Sequence, residues 1–218
     1  MIVNVINKYH KIEMKENNRH IAIDSYWKEF LATKNGYDAF SFIYNSYVND
    51  LLSYGVSLGF DEDTCRDAVH DVFCKILIDK NKFLKVNNLT AYLFRSIRNY
   101  LFNIQKRNCN LSDSTFENIP FSTEITTLES LINQEDTEKL KQTVENLLNE
   151  LTPRQREAIY LRYMQEMDYE EIALLMEINY NSARRLVHRS IEHLRAMNKD
   201  PEKPLFIILV ALIYYHYL

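Results

Sequence analysis

Ser182, Arg184, Arg185, His188 and Arg189 lie within the stretch "NSARRLVHRS" and place five hydrogen-bonding side chains in eight residues. On a helix with Ala183, Leu186 and Val187 turned inward, these five point outward. Arginine pairs bidentately with guanine or grips phosphate, and a serine hydroxyl donates to phosphate. The chemistry open to such a row is duplex DNA recognition, provided the helix is carried into the major groove.

That demands a positioning element, and "EEIALLMEINYNSARRLVHRS" offers one. A helix-turn-helix needs a small residue where its helices touch, apolar residues flanking the turn and apolar anchors on the second helix. Ala173, Ile172, Met176, Ile178, Ala183 and Leu186 meet these needs, and Asn179 or Asn181 can cap the second helix. Glu177 stands where the turn usually takes glycine, because a left-handed backbone costs other residues roughly 1 to 2 kcal/mol. Taken alone, the stretch fits either a DNA reader or a helical hairpin with a solvated basic face.

The remaining composition narrows the classes. The chain has 218 residues, 46% of them hydrophobic, enough for real cores. Its three glycines, Gly36, Gly55 and Gly59, rule out a glycine-rich phosphate loop beyond position 59. Helix formers dominate and sustained alternation is missing, so an all-α fold is predicted. Cys65, Cys74 and Cys109 show no metal-ligand spacing and read as reduced thiols; no metal or cofactor is expected. The N-terminal twenty residues lack the apolar run of a secretory signal, which predicts a cytoplasmic protein. No carboxylate pair or nucleophile is evident, so the chain does not read as an enzyme.

The net charge of −4 hides segregation along the chain. Asp61 to Asp79 holds six acids against Arg66 and Lys75, whereas Ala91 to Arg107 holds Arg95, Arg98, Lys106 and Arg107 with no acid. Arg184 to Arg195 holds four arginines against Glu192. Two basic islands sit in an acidic chain.

Apolar spacing sets the organisation. Residues 1–36 are polar and weakly patterned, and predict a loosely packed N-terminal extension. From Tyr37, the residues Phe40, Tyr44, Tyr47, Leu51 and Tyr54 make one helical stripe, and "GFDED" supplies a turn and a cap. The next helix, Asp63 to Leu77, turns Val69, Val72, Phe73, Ile76 and Leu77 inward and leaves Asp67, His70, Asp71 and Cys74 outside. A helix from Thr90 to about Arg107 turns Leu93, Ile97, Leu101 and Ile104 inward; Tyr92, Arg95, Asn99 and Lys106 lie around its other side. These helices form a first domain over 37–107. Residues 108–134, unpatterned and containing Pro120, read as a flexible linker. A second domain over 135–198 begins with a helix through Leu140, Val144 and Leu147 or Leu148. It restarts at "LTPRQRE", with Thr152 as N-cap and Pro153 at the first helical position, and continues through Ala158, Ile159, Leu161 and Arg162. A polar hinge and an apolar tail occupy 199–218.

The order of motifs adds a further constraint. "RDAVHDVFCKIL", then "LTAYLFRSIRN", then a linker, then "LTPRQREAIYLRYMQEMDYEEIALLMEINYNSARRLVHRSIEHLR" resembles a bacterial RNA polymerase sigma factor of the sigma-70 family, extracytoplasmic-function (ECF) group. The resemblance covers about Tyr37 to Met197. It implies a first domain that binds core polymerase and opens the minus-10 promoter element, and a second that reads the minus-35 element. Polymerase would supply the catalysis.

By that resemblance Asp67, His70, Asp71 and Phe73 fall at the polymerase-binding face. Asn87, Asn88, Tyr92, Arg95, Arg98, Asn99, Lys106 and Arg107 fall where minus-10 DNA is captured and melted, together with the loop from Lys80 to Asn88. Ser182, Arg184, Arg185, His188 and Arg189 fall on the minus-35 reader. The chemistry agrees: an exposed aromatic stacks an unpaired base, asparagine bonds a base edge and arginine neutralises phosphate. Tyr92 also suits packing between helices, and the acidic stripe also suits a solvated face. Arg66 and His70 replace the family's usual glutamate and glutamine, Asn103 a common aspartate, Tyr92 a tryptophan, and Glu177 and Ser182 a glycine and a threonine.

Two other readings compete with this one. An ordinary helix-turn-helix regulator would bind duplex DNA without polymerase, and a membrane-surface helical scaffold would set its basic islands on anionic lipid. The tail, "LFIILVALIYYHYL" over 205–218, is about 21 Å long as a helix against a hydrocarbon core near 30 Å. It is expected to pack on its own domain or on a protein partner, with peripheral membrane contact as the alternative. The resemblance makes an anti-sigma factor the natural partner for it.

Overall fold

The computed structural model describes residues 21–33, 36–109, 121–122 and 146–197. Every regular element among them is helical, and the chain divides into two units, the first holding 21–109 and the second 121–122 and 146–197. Pro120, Leu140, Val144 and the 205–218 tail, expected to be linker, helix and apolar tail, lie outside the described residues.

Helix α1 spans 21–32, α2 Tyr37–Ser57, α3 Glu62–Ile78 and α4 Leu89–Cys109, with a 3-10 turn at Lys80–Phe83. The second, third and fourth helices pack on one another in every pairing. From α2 the core receives Ile43, Tyr47, Leu51 and Tyr54, from α3 Cys65, Val69, Val72, Phe73 and Ile76, and from α4 Leu93, Phe94, Ile97 and Leu101. Gly55 permits the closest approach: a β-carbon there would lie 2.6 Å from Cys65 Sγ and 3.2 Å from Leu101 Cδ1. Gly59, at φ 88°, makes the turn, and Asp61 caps α3 by accepting from the Thr64 N–H at 2.9 Å. Those hydrogen bonds hold the Asp61 carboxyl below its ordinary range.

Three expectations are corrected here. Part of the supposed loose extension is α1, which buries Ile23, Trp27 and Phe30 at helical spacing. Its aromatic rings continue the core: Phe30 meets Phe40 at 5.3 Å, and Phe40 meets Phe73 at 5.8 Å. Leu77 is 36% exposed and Ile104 only half-buried, because each lies near the end of its helix, past the buried row.

In the second unit, helical backbone over 146–149 (α5) leads to α6, Pro153–Tyr163, then α7, Tyr169–Leu175, and α8, Tyr180–Met197. Helix α6 starts as its sequence demands. Thr152 and Gln155 form a reciprocal capping box, and Pro153 follows the cap. Helices α6 and α7 both pack on α8, around Leu148, Ala158, Ile159, Leu161, Ile172 and Leu194. Phe121, assigned to the linker, is instead buried in this unit with its ring 5.6 Å from that of Tyr160. A large aromatic gains more from that contact than from solvent exposure.

Candidate nucleic-acid interface

The second unit builds its polar row from the turn outward. Asp168 and Glu171 cap α7 reciprocally: the Glu171 N–H donates to Asp168 Oδ1 at 2.8 Å and the Asp168 N–H to Glu171 Oε2 at 2.7 Å. The helix ends at Leu175, and Glu177 takes a left-handed conformation at φ 55°. The Ile178 N–H then donates to the Ala173 carbonyl at 2.9 Å, and Arg154 Nη2 donates to the Met176 carbonyl at 3.3 Å. These bonds satisfy acceptors that a helix end leaves open. Asn179, not Asn181, caps α8, its Oδ1 accepting from the Ser182 N–H at 2.9 Å.

Helix α8 buries Ala183, Val187, Ser190, Ile191 and Leu194; Leu186, expected inside, is half-buried. Ser190 is tolerated there because its hydroxyl donates to the Leu186 carbonyl at 2.8 Å. The opposite face exposes Arg184, Arg185, His188 and Arg189, which with Asn181 line one open groove; Ser182 is half-buried beside them. Arg185 Nε donates back to the Asn181 carbonyl at 3.3 Å, which orients its guanidinium along the helix. The acid at the far end, Glu192, pairs with Arg195 at 2.8 Å. Asn181, expected only as a possible cap, joins the row because its place three and four residues before Arg184 and Arg185 puts it on their face.

In the first unit the α3 stripe exposes Asp67 and His70 and half-exposes Asp71 and Cys74. Cys74 Sγ lies 3.6 Å from His70 Nε2. Burial, then a hydrogen bond with Asp71, raises the pKa of the Tyr100 hydroxyl. Phe73 does not share this stripe: it is 2% exposed, with its ring edge-on to Tyr44 at 5.0 Å, so it belongs to the core.

The basic face of α4 is narrower than expected. Arg95, Asn99 and Arg107 are exposed and Lys106 is half-buried. Arg98 is corrected to an inner position, 8% exposed, with its guanidinium 4.6 Å above the Phe102 ring. It follows Ile97 and precedes Leu101 by three residues, which sets it beside the buried row. Tyr92 is half-buried and meets Phe83 edge-on at 5.4 Å, the packing alternative rather than a free stacking platform. Asn87 is exposed, while Asn88 Oδ1 accepts from the Ala91 N–H at 2.9 Å and caps α4.

Among the described residues no group of three or more His, Cys, Asp and Glu could hold a metal ion, and no helix is long and apolar enough to cross a membrane.

Comparison with known proteins adds three findings. The family described as Sigma-70, region 4 matches residues 141–194, which contain α6, α7 and most of α8. A curated relative, the ECF RNA polymerase sigma factor SigM of Bacillus subtilis (strain 168), is 24% identical over 162 residues, covering 71% of this chain and 92% of its own length. A co-crystal structure of the sigma factor RpoE with the anti-sigma factor NepR from Bartonella quintana is similar at 24% identity, TM-score 0.46, over 71% of this chain and 92% of that one.

Proposed function

We propose that this chain, similar along 71% of its length to an ECF sigma factor and matching sigma-70 region 4 over 141–194, is itself a promoter-specificity subunit of RNA polymerase. It binds core polymerase, reads the minus-35 element through α8 and the minus-10 element through α4 and its preceding loop, and assists strand opening. The observation that carries this reading is the exposed row Arg184, Arg185, His188 and Arg189 on the second helix of a capped helix-turn-helix. A helix so presented fits the major groove, where arginine reads guanine and anchors phosphate.

The first unit supports the same reading. Exposed Asp67 and His70, with half-exposed Asp71, suit a protein partner better than DNA, and Arg95, Asn99 and Arg107 suit a single strand leaving the duplex. A sigma factor takes its catalysis from polymerase, so no nucleophile is needed on this chain. Anti-sigma control through the 205–218 tail belongs to the same proposal.

Run-off transcription on genomic fragments with purified core polymerase tests it. Discrete start sites that appear only when this chain is added are the expected result. Tight duplex binding without polymerase, and no start sites with it, would favour an ordinary helix-turn-helix regulator.

A further inference from the structure

Three lysines, Lys80, Lys82 and Lys85, lie between α3 and α4, in the stretch that the proposed function assigns to minus-10 capture. By charge alone each reads as a phosphate contact. Lys80 is used differently. Its ammonium donates to the Phe30 carbonyl at 3.2 Å and to the Thr33 carbonyl at 3.1 Å, and sits 4.0 Å above the Phe30 ring. Both carbonyls belong to the C-terminal end of α1, where unsatisfied acceptors and the helix dipole favour a cation. The ring face adds a third contact.

The loop is fixed at several further points. Lys82 pairs with Asp79 at 2.8 Å across the 3-10 turn, and Phe83 is buried against Tyr92. The Val86 N–H donates to the Phe83 carbonyl at 3.0 Å, and Asn88 caps α4. The Tyr47 hydroxyl shares a hydrogen bond with Thr90 Oγ1 at 2.5 Å, fixing the first turn of α4 to α2. Beyond these contacts Leu84, 60% exposed, stands outward with Lys85 and Asn87, and Asn81 is exposed on the 3-10 turn itself.

We propose that Lys80 is a positioning residue: by clamping the 3-10 turn to the end of α1, it holds Leu84, Lys85 and Asn87 in the arrangement that receives an unpaired promoter strand. Helix α1 is then part of the strand-capturing machinery without touching DNA. This rests on the proposed function of the α4 region.

The test compares Lys80→Met, which keeps the aliphatic stem and removes the ammonium, with Lys80→Arg, which restores a cation. Capture of a fluorescent single-stranded oligonucleotide carrying the minus-10 sequence is measured on the assembled holoenzyme across a salt series. Hydrogen exchange over residues 80–88 is followed in the free chain. Lys80→Met is expected to speed exchange in the loop and to weaken capture roughly tenfold. The slope of log affinity against log salt should stay unchanged, because no phosphate contact is lost; a direct contact would lower it by about 0.7 for a single strand. Lys80→Arg should recover most of the affinity, and thermal midpoint and upstream-duplex binding should hold in both. Unchanged capture in Lys80→Met, or weakened capture with a lowered salt slope, overturns the proposal. If wild-type holoenzyme captures no strand, the function assigned to the region fails as well, a result visible before any variant is compared.

Discussion

The Ile178 N–H reaches back to the Ala173 carbonyl at 2.9 Å, closing the turn between α7 and α8 around Glu177 at φ 55°. The bond fixes the angle at which α8 leaves the turn. It requires a left-handed residue, and glutamate bears that cost where glycine would not. Glu177→Gly should therefore stabilise the second unit by on the order of 1 kcal/mol, the relief of backbone strain exceeding the entropy glycine adds to the unfolded chain. Glu177→Ala keeps a β-carbon and should gain little. Thermal unfolding followed by circular dichroism decides; a Gly variant no more stable than the Ala variant would show that the turn bears no strain.

Arg184 and Arg189 project from the same exposed row one turn or more apart, so each should contribute separately to duplex binding. Arg184→Ala and Arg189→Ala are each expected to cost about 1 to 3 kcal/mol if they read a base. If they grip phosphate instead, the loss should be uniform across sequences and the salt slope should fall by about 1. Association with core polymerase should persist in both variants. Loss of both activities together would point to misfolding of α8.

Much of this was legible in the sequence because the signals were local. Thr152 with Pro153 and Gln155, the Asp61 cap and the positive-φ Glu177 all follow from which residue sits next to which. The α8 row was readable for the same reason, since a period of 3.6 sorts Ala183 and Val187 from Arg184 and His188. What was missed depends on contacts distant in sequence. Ile23, Trp27 and Phe30 have helical spacing, but charged neighbours such as Lys28 and Glu29 mask it, and the burial shows only once α2 brings Phe40 against Phe30. Arg98 lies at the margin of its stripe, where only the neighbouring helices decide between core and solvent, whereas spacing alone turns Phe73 inward, as found, and only the resemblance set it on the polymerase-binding face.

Gly55 and Cys65 form a pair whose fit can be measured. Gly55→Ala improves helix propensity by up to about 1 kcal/mol, yet its β-carbon would lie 2.6 Å from Cys65 Sγ. Overpacking of this kind typically costs about 1 to 3 kcal/mol, so the variant should be destabilised in urea unfolding. Adding Cys65→Ala removes the sulfur and should recover part of the loss. Equal stabilities for the single and double variants would mean that the sulfur is not the obstacle.

Burial, reinforced by the charges of Asp61 and Glu62, pushes the Cys65 thiol up to about 11. At pH 8 an alkylating reagent should modify half-exposed Cys74 and spare Cys65 until the chain is unfolded. The folded state therefore holds this proton more tightly than the unfolded one. Its stabilising contribution is therefore complete below the ordinary thiol pKa of 9.0 and is lost as pH rises towards about 11. Mass spectrometry of alkylated peptides gives the first result, and alkaline unfolding of Cys65→Ala, which should lose that slope, gives the second.

Arg95 and Arg98, three residues apart on α4, separate an exposed cation from a packed one. Arg95 is exposed, whereas Arg98 is 8% exposed and stacked on Phe102. Arg95→Ala should leave stability within about 0.5 kcal/mol, as surface substitutions do, and weaken capture of the downstream element with a reduced salt slope. Arg98→Ala removes a buried guanidinium and its aliphatic stem and should lower stability by about 1 to 3 kcal/mol. Any loss of strand capture in that variant should track the unfolded fraction and disappear when binding is measured well below the unfolding midpoint. If Arg98→Ala lost affinity with its thermal midpoint untouched, the guanidinium would have to reach outward in the complex, and the basic face of α4 would be as broad as its sequence suggests.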